Sequence, residues 1–70
     1  MKTLVVAAYL PELHGLPATV LQVAIGVGAI DAAAGMARAL AEHAADRVLL
    51  VGTCGAFDGS GLAVNDLVVV

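Results

Sequence analysis

Two unbroken apolar runs bracket a long alanine-rich stretch, and this arrangement constrains the fold more than any other feature. Thr3 to Tyr9 reads TLVVAAY, with no polar residue at alternate positions after its threonine. A strand with one wet face alternates apolar and polar side chains, whereas a strand covered on both faces reads as a continuous run. Arg47 to Val51 (RVLLV) repeats the pattern, and Thr19 to Ile25 (TVLQVAI) is a further strand. From Ala29 to about Ala45 the period changes: Ile30, Ala33, Ala37, Leu40 and Ala44 recur at the three- and four-residue steps of a helix. Asp31 lies in the first turn, where a carboxylate suits the positive end of the helix dipole. Ala32, Gly35 and Ala39 make a second row of very small side chains, which lets a neighbouring backbone come close. Strands of this kind around a helix imply a βαβ unit and a parallel sheet. Pro11, with no N–H to donate, ends the first strand, and Gly26-Val27-Gly28 breaks the second. Gly52 to Ala63 is a loop with a strong turn signal at Asp58-Gly59-Ser60-Gly61. Asp66 to Val70 reads as the start of a fourth strand, so the expected order is β-β-α-β-β in an α/β fold.

A chain of 70 residues is at most one domain, and neither a repeat nor a linker divides it. A core of that size is marginal without disulfides, a metal or a partner. The lone Cys54 cannot form an internal disulfide, and no Cys/His cluster has metal-ligand spacing. Residues 1–70 are therefore expected to be one segment of a longer domain or a subunit of an oligomer. The apolar run Leu67 to Val70 reads as the middle of a strand and supports the first expectation. The composition is 61% hydrophobic, with a mean hydropathy of +1.02. No run reaches the ~18 apolar residues of a spanning helix, because Pro11-Glu12, Gln22, Asp31 and Arg38 interrupt every candidate. The excess is alanine and valine, which suits buried strands and close helix packing. Lys2 precedes a short apolar run, but Pro-Glu-Leu-His follows it rather than a small-residue cleavage site, which disfavours a signal peptide. Net charge is −3, with only Lys2, Arg38 and Arg47 basic, and with one tyrosine and one phenylalanine there is no stacking platform. Nucleic acid and a membrane surface are excluded as partners on these grounds. The single cysteine suits a reducing cytoplasm.

Three features bear on chemistry. Gly26-Val27-Gly28 before a helix resembles a dinucleotide fingerprint, but Asp31 stands where glycine or alanine is needed. The next strand closes on Val51-Gly52-Thr53 rather than on an acid. A tight strand-to-helix turn is the better reading. The second feature is Glu12, which directly follows the first strand. The carboxyl ends of parallel strands line the ligand crevice of an open sheet. Glu12 and Thr53 both lie just past such ends, so a carboxylate and a hydroxyl converge if their strands are neighbours. The third is Gly52-Thr53-Cys54-Gly55, whose glycines permit positive φ and close backbone approach to a ligand. From spacing alone, a turn with a buried threonine and a core cysteine is an equal alternative. Cys54 has no activating base beside it and reads as a packing residue. His14 and His43 carry weaker signals; His43 falls at the end of the helix.

In combination, four stretches resemble the N-terminal part of the purine nucleoside phosphorylase/nucleosidase superfamily. They are the strand from Met1-Lys2 to Ala7-Ala8-Tyr9-Leu10-Pro11-Glu12-Leu13; Gly26-Val27-Gly28 with Ala32-Ala33 and Leu40-Ala41-Glu42-His43; Val51-Gly52-Thr53-Cys54-Gly55-Ala56; and Leu62-Ala63-Val64-Asn65-Asp66-Leu67-Val68-Val69. The resemblance is nearest to the hydrolytic branch, the methylthioadenosine/S-adenosylhomocysteine nucleosidases and futalosine hydrolases. It implies a three-layer α/β/α sheet and cleavage of the N-glycosidic bond of a purine-type nucleoside. It also implies an oligomer, most simply a homodimer, and no cofactor or metal. By the same resemblance Glu12 is the general base that deprotonates water. Thr53 lines the water, phosphate and sugar end of the pocket, and Cys54, Gly55, Ala56 and Phe57 run along the base, mostly through backbone.

A glutamate after the first strand would repel phosphate, which favours water as nucleophile over the phosphorylase alternative. The chain also departs from the family. The segment between His14 and Thr19 is short, Ala29 replaces a frequent lysine, and Asn65 replaces a glycine. Asparagine is tolerable there because it enters the left-handed region readily. The family's ribose-binding Met-Glu pair and base-protonating aspartate are not in residues 1–70, so this segment alone is expected not to turn over. A non-catalytic binding or packing module is the remaining alternative.

Overall fold

The computed structural model describes residues 2–70; Met1, with which the resemblance opens, lies outside the described residues. The elements are β1 (Thr3–Ala7), the short 3-10 helix η1 (Leu10–Leu13), β2 (Gln22–Ala24), α1 (Ala29–Glu42) and β3 (Arg47–Leu50). The three strands form one parallel sheet in the order β2-β1-β3. Val5 pairs with Gln22 on one side and Leu49 on the other, and Thr3 pairs with Arg47. The fold is therefore α/β with a small parallel sheet, as the continuous strands imply.

The strand order explains where the core sits. The connection from β2 to β3 must cross β1, so α1 lies over the central strand. Leu4 and Val6 point to the helix side and pack with Ala39, Met36, Val23 and Ile25. Val5 and Ala7 point to the opposite face and pack with Leu13, Val20 and Val51. The buried residues are Leu4, Val5, Val6, Ala7, Leu13 and Ala39, so the central strand supplies most of the core among the described residues.

The helix meets the sheet through its small-residue row. Ala39 is buried, and a Cβ on Gly35 would overlap the backbone carbonyl of Ile25. The larger apolar row is turned away: Ile30 is 86% exposed and Leu40 49%. The sequence contains both rows, and closeness of approach selected the smaller one.

β1 ends at Ala7 rather than Tyr9, α1 at Glu42 rather than about Ala45, and β3 at Leu50 rather than Val51. Three differences from the sequence expectation are larger. The second strand shrinks to Gln22–Ala24, because residues 18–20 are spent in a turn closed by the Val20 amide on the Pro17 carbonyl. The segment after Tyr9 is not a plain loop but η1, with Pro11 in its first turn. Proline is favoured there because its missing N–H would have no partner in any case. The expected fourth strand is not formed: residues 66–70 pair with no strand and are exposed. Asp66 instead closes a turn, accepting from the Ala63 amide while its own amide donates to the Ala63 carbonyl. Asn65 stands in that turn at φ +74, the left-handed conformation expected of it.

Candidate functional site

Glu12 is delivered by η1. The Glu12 amide donates to the Tyr9 carbonyl and the His14 amide to Pro11, which folds the chain back over the end of β1. The next residue, Leu13, anchors this turn in the core against Val5 and Ala7. A buried leucine beside an acid thus fixes where the half-buried carboxylate begins.

Thr53 is delivered by the exit from β3. The ladder with β1 runs one step past the strand, where the Val51 amide donates to the Val6 carbonyl at 2.9 Å. Gly52 and Thr53 follow immediately. Because β1 and β3 are neighbours, their carboxyl ends lie side by side, and the condition on which Glu12 and Thr53 could meet is satisfied. The Thr53 amide donates to Glu12 Oε2 at 3.0 Å, and the Thr53 hydroxyl to the same oxygen at 3.3 Å. Both donors share one carboxylate oxygen.

Gly52 makes room for this contact. A Cβ built there would stand 3.2 Å from Glu12 Oε2 and 3.8 Å from the carboxyl carbon. The sequence reading gave the glycines of this stretch two reasons, positive φ and close approach. Neither Gly52 nor Gly55 has positive φ. Close approach applies at Gly52, and the approaching group is a side chain of the same protein. At Gly55 an added Cβ would meet nothing within 4 Å. Sequence reasoning singled out Glu12 and Thr53 but gave Gly52 no role of its own. Its position between β3 and Thr53, at the end of a strand that neighbours β1, was the available signal.

The other sequence candidates are less organised. Cys54 is exposed rather than packed in a core. This overturns the reading of it as a packing residue, because the chain leaves the sheet after Val51 and nothing covers it. Thr53 is exposed as well, which removes the alternative of a buried threonine. Gly55, Ala56 and Phe57 line a shallow depression of about 290 Å³, with Phe57 92% exposed. A larger hollow of about 650 Å³ lies among Leu10, Leu13, His14, Leu16 and Gln22. Neither hollow is lined by Glu12 or Thr53. The acid–hydroxyl pair is therefore the ordered part of the crevice, and the residues expected along the base form an open surface. Among the described residues no three His, Cys, Asp or Glu side chains gather as a metal site would require. No helix among them is long and apolar enough to cross a membrane.

Compared with known proteins, the chain matches no family model, no curated protein and no solved structure.

Proposed function

We propose that this chain carries the water-activating end of a nucleosidase that hydrolyses the N-glycosidic bond of a purine-type nucleoside. On this reading residues 1–70 are the N-terminal part of a three-layer α/β/α domain in a cytoplasmic enzyme, most simply a homodimer. The observation that supports it is the Glu12 carboxylate held by Thr53 at the carboxyl ends of two neighbouring parallel strands. Open α/β sheets bind ligands at that edge. In the reaction Glu12 takes a proton from water, and the water oxygen bonds to the anomeric carbon. The glycosidic C–N bond breaks and its electron pair leaves with the purine. A carboxylate near the sugar also stabilises the positive charge that develops there. Water is preferred to phosphate because an anion beside Glu12 is repelled.

The exposure of residues 54–57 favours one second reading, a non-catalytic module that packs against a partner. The test is to express the uninterrupted reading frame and measure purine release with and without phosphate. Hydrolysis without phosphate is expected, with Glu12→Gln lowering turnover by about 10²–10⁴-fold, the usual contribution of a general base. Strict phosphate dependence would refute water as nucleophile. Unchanged turnover in Glu12→Gln would refute the role of Glu12. A reading frame that stops after Val70 would leave the packing module.

A further inference from the structure

We propose that Gly52 and Thr53 form a seat that positions Glu12, committing Oε2 and leaving Oε1 as the oxygen that faces the reacting water. The inference rests on the reading of Glu12 as general base and assigns Gly52 as a positioning residue for it. Three observations converge. The Thr53 amide and hydroxyl both donate to Oε2, at 3.0 and 3.3 Å. No hydrogen bond among the described residues reaches Oε1, and none of their buried side-chain oxygens lacks a partner, so Oε1 opens to solvent. Finally, Gly52 has no positive φ to justify a glycine, yet a Cβ there would crowd Oε2 at 3.2 Å.

The physical consequence is a division of labour within one carboxylate. An oxygen that accepts two hydrogen bonds has its lone pairs engaged and its orientation fixed. The other oxygen keeps its lone pairs for a proton. A backbone amide is the better of the two holders, because it lies two residues past the last β1–β3 ladder bond, at Val51, and has no rotamer to lose. Thr53 on this account acts on Glu12 rather than on the sugar, and its amide matters more than its hydroxyl. An alanine at position 52 would push the carboxylate by a few tenths of an ångström and lengthen the amide contact. Misplacement of reacting groups by about 1 Å costs on the order of 10²-fold in rate, so a smaller shift should cost roughly tenfold.

The test follows the Thr53 amide by NMR in the full chain as pH is raised through the ionisation of Glu12. The amide proton is expected to move downfield with that ionisation and to stop responding in Glu12→Gln. The response should be smaller in Gly52→Ala than in the parent chain, and retained in full in Gly55→Ala, where the added methyl meets nothing. Thr53→Val should keep it, because the amide remains. Unchanged amide positions along β1 and β3 report that each variant is folded. An unresponsive Thr53 amide in the parent chain, or a full response in Gly52→Ala, overturns the seat. In the uninterrupted protein, Gly52→Ala should lower kcat about tenfold with KM unchanged. A responsive amide in a protein that cleaves no nucleoside would keep the seat and reject the nucleosidase reading. Nucleoside cleavage with an unresponsive amide would do the reverse.

Discussion

At Gly35 two physical tendencies oppose each other. Alanine is better than glycine inside a helix by about 1 kcal/mol, so propensity alone favours Gly35→Ala. The added methyl, however, would overlap the Ile25 backbone rather than the tip of a flexible side chain. Overpacking of that kind costs about 1–3 kcal/mol and sometimes more. Packing should win, and Gly35→Ala should lower the thermal midpoint measured by circular dichroism. A midpoint that rises would show that the helix leaves room for a methyl between Gly35 and the Ile25 backbone. The same contrast separates what was legible in residues from what was not. The small row Ala32, Gly35, Ala39 was visible in the sequence, as was its purpose. Glu12 and Thr53 were each visible as residues past a strand end. Their sharing of one oxygen was not, because it depends on which strands are neighbours, and no local pattern encodes that.

At the scale of elements, the turn from β2 into α1 depends on glycine more tightly than capping rules suggest. Serine is normally a strong N-cap, its hydroxyl accepting from a free amide of the first turn. Gly28 occupies that position at φ 90 and ψ 154, with no side-chain cap. That region is open to glycine and costs other residues about 1–3 kcal/mol. Gly28→Ser should therefore destabilise the chain in a denaturant titration, although the same change stabilises ordinary helix starts. The reading of Gly26-Val27-Gly28 as a tight turn agrees with this geometry. β1 and α1 were legible because their periodicity is long and unambiguous. η1 was less so, although Leu-Pro-Glu-Leu contains proline in its first turn and an acid beside it. The fourth strand failed for a different reason. A strand needs a partner edge as well as a sequence, and Asp66 turns the chain where an incoming strand would start.

At the scale of the whole molecule, the chain covers little of its own apolar surface. Its radius of gyration is 13.6 Å, where a compact domain of this length has about 11 Å. Val48, Leu49 and Leu50 on the edge strand, and Val64, Leu67, Val69 and Val70 beyond it, are all exposed. An unpaired apolar edge templates association. Sedimentation at rising concentration should show the chain forming larger species. Leu49→Lys should shift that equilibrium towards monomer without lowering the thermal midpoint, because Leu49 lies outside the buried core. A midpoint that drops would mean that β3 is held by contacts on that face.

The central position of β1 also sets a schedule. Its pairing with β3 joins residues 44 apart, and the Glu12–Thr53 contact joins residues 41 apart. At about 5–20 residues per second of synthesis, the first strand waits roughly 2–9 s for its second neighbour. Of these three strands the most buried is thus made first and completed last. Until then its apolar side chains lie open to whatever the ribosome exit offers, and the acid of the candidate site has no holder. Closure of the Glu12–Thr53 pair therefore marks the moment at which β1 has both of its neighbours.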